Sequence, residues 1–257
     1  TTTGTIAADR VEAMVKNAVA AIATAKACGN AAPTLGLLNL EGARQAERIL
    51  RQLQANGYEI KFAESGRADG GAVMRGNDLL TGAADIMVAD SLTGNVLIKL
   101  FSAYTSGGNY EAVGDGYGPG VGEKYGKIVN IISRASGAPV VAGAIAFAAQ
   151  AARGGLPRVA AAEFAAAEQA GLSGLLAGAA AATAASAATE EIRPPAEKVA
   201  TEEITGVEVF VIEDAVRLLW KQGVYASAGM GCTGPVVMVA EEDAEQALSL
   251  LKEGGYL

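Results

Sequence analysis

The sequence predicts an α/β protein, with a doubly wound, mostly parallel sheet followed by a C-terminal β-α-β-β-α block. Three observations carry this. Short apolar runs alternate with segments whose apolar residues recur every three or four positions, and strand–helix alternation with short connections pairs strands in parallel and lays helices on both sheet faces. The 257 residues are 51% apolar, enough to bury a full core. A charged stretch holding Pro194-Pro195 reads as a linker over 190–206, so the expected parts are an α/β domain at 1–189, that linker, and the block at 207–257.

Taken in order, 10–27 places Val11, Met14, Val15, Ala18, Val19 and Ile22 on one helical face, with Gly29 as its stop. The compact run 34–38 after Pro33 is a buried strand, and 43–55 is a helix with the face Ala46, Ile49, Leu50 and Leu53. A second strand is expected at 58–63 and a third at 86–89, with a helix from about Gly94. Ligands of such sheets bind beyond the carboxyl ends of the strands, which puts 39–42, 64–71 and 90–95 along one rim. Residues 128–136 read as a further helix, 139–144 as a further strand, and 144–188 as alanine-rich helices. The uncharged stretch 169–189 mimics a membrane span, but alanine is too weakly apolar to hold it in lipid, so two helices with a break near Gly171–Gly174 are expected. The final block is read as strand 207–212, helix 214–222, strand 224–226, a cysteine loop, strand 236–239 and helix 242–252.

Composition removes several functions. A net charge of -8, with no basic tract, argues against nucleic acid. There is no histidine, so a Ser-His-Asp hydrolase lacks its base. No Gly-x-Gly-x-x-Gly turn follows the first strand, which removes a nicotinamide dehydrogenase. Two cysteines far apart form neither a disulfide framework nor a zinc site. The chain is expected to be cytoplasmic, with no metal, no membrane and no tightly bound cofactor.

Two segments carry candidate chemistry. Cys232 lies in Ala228-Gly229-Met230-Gly231-Cys232-Thr233-Gly234-Pro235, where glycines leave the sulfur uncrowded and a thiol can accept and pass on an acyl group. A hairpin turn holding a small buried residue is the alternative. The N–H groups of Cys232, Thr233 or Gly234 are the obvious donors to an acyl oxyanion, beside Gly231. The second segment is Ala84-Asp85-Ile86-Met87-Val88-Ala89-Asp90 followed by Thr93-Gly94-Asn95-Val96-Leu97-Ile98-Lys99. A strand there ends in a carboxylate and enters a helix whose free N–H groups suit an anion. Thr93 and Asn95 add hydrogen bonds, and Lys99 lies one turn beyond Asn95. The competing account makes Asp90 or Ser91 a cap and Lys99 a solvated side chain. The glycine-rich run 106–126 reads either as an anion-binding loop or as a surface excursion. Arg75 is a further possible phosphate contact; Glu64, Arg67 and Asp69 read as a charged loop, and Cys28 as structural.

Asn39 in Leu37-Leu38-Asn39-Leu40, the run Gly76-Asn77-Asp78-Leu79-Leu80, and the Asp85–Lys99 pattern over about 33–100 resemble the phosphate acyltransferases of phospholipid synthesis. That family makes acyl phosphates on a layered, phosphotransacetylase-like α/β architecture. Two departures stand out: Ala142-Gly143-Ala144 has no histidine where that family carries His-Gly, and the Cys232 block has no counterpart there. The whole chain, through Gly254-Gly255-Tyr256-Leu257, is more similar to the smaller (alpha) subunits of component C of glycine/sarcosine/betaine reductases. That resemblance implies an acetyl thioester on Cys232, made from a carboxymethylated selenoprotein and released by inorganic phosphate as acetyl phosphate. It implies a larger component C subunit and the selenoprotein component A as partners in a homo- or hetero-oligomer, and an N-terminal part of the family protein preceding Thr1. Phosphate would sit at the Gly94-Asn95 helix start, paired with Lys99, with Asn39 a further phosphate or acyl contact. N–H groups of the glycine loop, a nearby helix N-terminus, or a lysine (Lys99 or Lys124) would lower the thiol pKa. The alternatives are a stand-alone phosphate acyl- or acetyltransferase using coenzyme A or acyl carrier protein, and a non-catalytic docking subunit.

Overall fold

The computed structural model describes residues 9–66, 70–187, 193–208, 211–231 and 234–257. The chain divides into two compact units, residues 1–181 and 182–257.

The first unit is mixed α/β with a parallel sheet. Helix α1 (Arg10–Ala27) starts where the Asp9 carboxylate accepts the Glu12 N–H, and it buries Met14, Val15, Ala18 and Val19. It leads to β1 (Thr34–Leu38) and α2 (Ala43–Ala55), which buries Ala46, Ile49, Leu50 and Leu53. Strands β2 (Lys61–Phe62) and β3 (Val73–Met74) both pair in parallel with β1, at Leu35↔Phe62 and Leu37↔Val73. Strand β4 (Ile86–Val88) also pairs with β1, at Leu35↔Ile86 and Leu37↔Val88. A strand has two edges, so β2 and β3 lie end to end along one and β4 takes the other. This register aligns Leu35, Phe62 and Ile86, and then Leu37, Val73 and Val88, on the face that packs with α1 and α2 in the main core. On the opposite face Gly36 leaves room for Met74: a Cβ there would lie 2.7 Å from Met74 Cγ. Asp85 pins the β1–β4 pairing by accepting the Thr34 N–H and hydroxyl at 2.8 and 2.7 Å.

Helix α3 (Gly76–Thr81) and β3 occupy sequence in which no element was expected. Buried Asp78 organises that stretch by accepting the Ser65 hydroxyl and the N–H groups of Gly66 and Arg75, each at 2.8 Å. The second strand is also shorter than the expected 58–63. Helix α4 (Ser91–Ser106) begins three residues before Gly94.

Between α4 and α5 (Ala138–Arg153) the expected assignments exchange. Residues 128–136 form no helix: Tyr117 and Ile131 exchange backbone hydrogen bonds at 2.6 and 3.0 Å, and Glu111 bridges to Ser136. Ile128, Val129, Ile131 and Ile132 are β-branched and suit this extended path. Residues 139–144 are not a strand but the first turns of α5, where Pro139 takes an early helical position that needs no N–H. Helices α6 (Leu156–Gln169) and α7 (Leu172–Ala187) follow, with Gly171 at φ +95° between them. Among the described residues no helix is long and apolar enough to cross a membrane.

The second unit holds β5 (Glu202–Thr205), α8 (Ile212–Lys221), β6 (Ala226–Gly231), β7 (Gly234–Val239) and α9 (Ala244–Glu253), with antiparallel order β5-β7-β6. Its first strand falls inside the stretch expected as linker, because Glu202–Thr205 pairs along β7 from Val239 to Val236. The expected strand at 207–212 is replaced by a turn and the start of α8; residues 209–210 lie outside the described set. Ile204, Val216, Leu219, Val237, Val239 and Leu251 form this unit's core.

Candidate active-site residues

All three pairings of β1 are parallel, so the strands end on one side and the rim there can be read directly. Asn39 follows β1, and its N–H donates to Met74 O at 2.8 Å, which sets it beside the Arg75–Asp78 turn. Arg75 is exposed, and its backbone N–H donates to the Asp78 carboxylate at 2.8 Å where α3 begins. Arg67 and Asp69 lie outside the described residues.

The start of α4 supplies its own anion. The Asp90 carboxylate accepts the N–H groups of Leu92 and Thr93 at 2.9 and 3.0 Å, and the Thr93 hydroxyl at 2.7 Å. The Gly94 N–H goes to Asp90 O at 3.0 Å, and Gly94 is buried. Burial pushes the Asp90 carboxyl up, but the hydrogen bonds from Thr93 and Leu92, with the charge of Arg10, outweigh it and hold the group below the usual carboxylate range. The first-turn donors expected to meet phosphate are therefore bonded within the chain. Lys99 lies eight residues beyond Ser91, about 12 Å along the axis at 1.5 Å per residue, so the helix start and Lys99 are two separate places.

At Lys99 the surroundings differ. Lys99 Nζ donates to Glu111 Oε1 at 2.7 Å and to Tyr117 Oη at 2.8 Å. Tyr117 donates its hydroxyl to the same Glu111 oxygen at 2.5 Å. Ser133 and Ser136 donate to Glu111 Oε2 at 2.8 and 2.9 Å. The Glu111 side chain is 4% exposed and that of Lys99 48%. Burial of Glu111 opposes its charge, but the bonds from Lys99, Tyr117, Ser133 and Ser136 prevail and bring its pKa to about 2. The Glu111 and Tyr117 contacts raise the Lys99 pKa, so its ammonium stays charged and is no base. Asn95 precedes Lys99 by one turn on the same face of α4. The glycine-rich segment lies over that face: Val113 N–H donates to Ser102 Oγ at 3.2 Å, and a Cβ at Gly114 would touch Ile98 at 3.8 Å.

Glu111, Tyr117, Ser133 and Ser136 did not emerge from the sequence. One signal was present: between Lys99 and Glu123 the only charged side chains are Glu111 and Asp115.

Cys232 and Thr233 lie outside the described residues. Their neighbours are described: Gly231 ends β6, Gly234 begins β7, and the two are register partners, so two residues join the strands. The glycine run 229–231 is therefore strand and not loop, and the expected strand at 224–226 moves to Ala226–Gly231. Gly229 makes room for the next strand, since a Cβ there would lie 3.1 Å from Met238 Cγ. The other thiol, Cys28, is half-buried, and burial raises its pKa, which disfavours the nucleophilic thiolate. Cys28 helps line a cavity of about 330 Å³ between α1, β4, Pro119 of the glycine-rich run and Phe147, which Asn39, Asn95 and Lys99 do not line. Among the described residues no group of His, Cys, Asp or Glu is placed to hold a metal ion.

Residues 1–238 match the family described as "Fatty acid synthesis protein". The chain is 57% identical over 257 residues to the glycine/sarcosine/betaine reductase complex component C subunit alpha of Peptoclostridium acidaminophilum, a match covering 100% of this chain and 67% of that protein. It is 35% identical over 79 residues to a phosphate acyltransferase of Phenylobacterium zucineum, covering 28% of this chain and 19% of that one. No solved structure matches the chain. With the family match running through both units, and with full-length similarity to a component C alpha subunit, the chain belongs to the fatty acid synthesis protein family.

Proposed function

We propose that this chain is the acyl-transfer subunit of a glycine reductase-type complex, carrying an acetyl group as a thioester on Cys232 and passing it to inorganic phosphate. The observation that carries the reading is the 57% identity to a component C alpha subunit along all 257 residues, a span that includes the Cys232 segment. In the transfer a phosphate oxygen attacks the thioester carbonyl carbon and the C–S bond breaks. The bonding pair stays on sulfur, so acetyl phosphate and the Cys232 thiolate leave. The reverse reaction, thiolate on acetyl phosphate, loads the cysteine.

With no histidine in the chain, this chemistry needs no imidazole: the thiolate is the leaving group and phosphate the nucleophile. Backbone N–H groups of Cys232, Thr233 or Gly234, next to Gly231, serve the oxyanion. Lys99 serves as a permanent cation for a phosphate oxygen, with Asn95 one turn away on the same face. Because Thr93 and Gly94 are already bonded to Asp90, they shape the helix start and do not contact phosphate. Asn39 stays a rim residue available to substrate. The two-carbon unit comes from a carboxymethylated selenoprotein, component A, and the larger component C subunit completes the assembly.

The similarity to a phosphate acyltransferase favours a second reading, in which a carrier thioester supplies the acyl group and Cys232 is incidental. Intact-mass spectrometry after incubation with acetyl phosphate separates the two. The first reading expects one hydroxylamine-labile acetyl adduct, retained in Cys28→Ala and absent in Cys232→Ala. Acyl-phosphate formation that survives Cys232→Ala establishes the second. A folded chain that neither takes the adduct nor forms acyl phosphate leaves a docking subunit.

A further inference from the structure

The buried carboxylate of Glu111 is an odd partner for a surface lysine. A carboxylate 4% exposed is retained only where its charge is compensated, and here four donors converge on its two oxygens. Those donors come from three parts of the first unit: Lys99 from α4, Tyr117 from the glycine-rich segment, and Ser133 and Ser136 from the run before α5. Glu111 is itself held by its main chain, its N–H on Ala135 O at 2.8 Å and its carbonyl taking the Gly137 N–H at 2.9 Å. The acceptor is thus rigid, and whatever it holds is rigid too. An ammonium has three N–H donors. Two are spent on Glu111 and Tyr117, the third has no partner on this network, and 48% of the side chain faces outward. The Tyr117 ring lies beside the ammonium at its hydroxyl edge, with 5.1 Å from Nζ to the centroid.

We propose that Glu111 is the positioning residue of Lys99, fixing its ammonium as a charged anion contact with one N–H presented outward to a phosphate oxygen. This rests on the reading that the chain uses inorganic phosphate. A lysine free to swing would lose side-chain entropy on meeting the anion, and one without the carboxylate would spend part of its time as a neutral, nucleophilic amine. Beside an acyl phosphate such an amine would itself be acylated. Glu111 lessens both.

The test labels the full chain with acetic anhydride, with and without inorganic phosphate, and follows each lysine by peptide mass. Lys99 should react severalfold more slowly than exposed Lys124, because its ammonium is held by Glu111 and Tyr117 and only a lysine released from them can attack, and phosphate should slow it further. Glu111→Gln should bring its rate up to that of Lys124 and abolish the effect of phosphate, while Glu111→Asp should restore part of both. If Glu111→Gln does not fold, Tyr117→Phe removes one partner and leaves the carboxylate; a two- to threefold faster Lys99 is then expected. The inference is overturned by a Lys99 rate that no folded variant changes, or by phosphate without effect in the parent chain. The Cys232 adduct is scored in parallel by acetyl phosphate loading. Its absence sinks the acyl-carrier reading whatever Lys99 does, and a Lys99 indifferent to Glu111 sinks this inference whatever Cys232 does.

Discussion

Helix α4 contains two places that the sequence offers to an anion, and they are built in opposite senses. At the start the chain brings its own carboxylate: Asp90 takes the first-turn N–H groups and the Thr93 hydroxyl. Two turns on, the chain brings a carboxylate again, but places it beneath a cation, so that Glu111 is saturated while Lys99 stays half-exposed. The lesson is that a helix N-terminus and a lysine are anion sites only after intramolecular partners are counted. The Asp90 contact occupies the donors at the helix start, whereas the Glu111 contact leaves a half-exposed cation, which is the basis for proposing it as an anion contact.

The strongest way to break this contrast is to remove the buried carboxylate. Glu111→Ala leaves the hydroxyls of Tyr117, Ser133 and Ser136 without this acceptor while half-exposed Lys99 turns to water, and should cost about 3 kcal/mol in denaturant unfolding. Acid sharpens the same point. A carboxyl lowered from an ordinary 4.5 to about 2 contributes stability that is complete above the unfolded value. It is lost as pH falls from about 4.5 toward 2, amounting to about 3 kcal/mol. Thermal midpoints across that window should fall in the parent chain, and the slope should be visibly shallower in Glu111→Gln. Asp90 has the same sign, its carboxyl being lowered too, so a remainder of the slope should disappear in Asp90→Asn.

The helix start should respond less. Asp90→Ala removes a cap worth about 1 kcal/mol, and it should also create what the parent lacks: free first-turn N–H groups, read as stabilisation by millimolar phosphate that the parent does not show at this end. Thr93→Val removes only one hydroxyl bond to a partly exposed carboxylate and should cost about 0.5 kcal/mol. If Thr93→Val instead destabilises as much as Glu111→Ala, the contrast drawn between the two places is wrong.

Much of the first unit was legible because its signals are local. The periodicity of α1 and α2 and the compact run of β1 match the structure at both ends of each element. The stretch between α4 and α5 was not legible, and it is there that the lysine acquires its partners. Ile-Val-Asn-Ile-Ile reads as either helix or strand over so few residues. What decides is pairing with Tyr117, which requires Gly116 at φ +81°, where a Cβ would lie 2.9 Å from Ile131 O. Likewise Pro139 is compatible with a strand start and with a first helical turn, and only the alanines of α5 beyond it make the helix.

By itself the sequence determined the alternation that makes a parallel sheet, the glycine setting of Cys232, and a chain without histidine, because composition and short-range periodicity suffice for these. Tertiary structure decided which charged groups meet. Lys99, Glu111, Tyr117, Ser133 and Ser136 span 38 residues. They converge only because the glycine-rich path folds back over α4, and a buried carboxylate is tolerable only where every donor arrives at once.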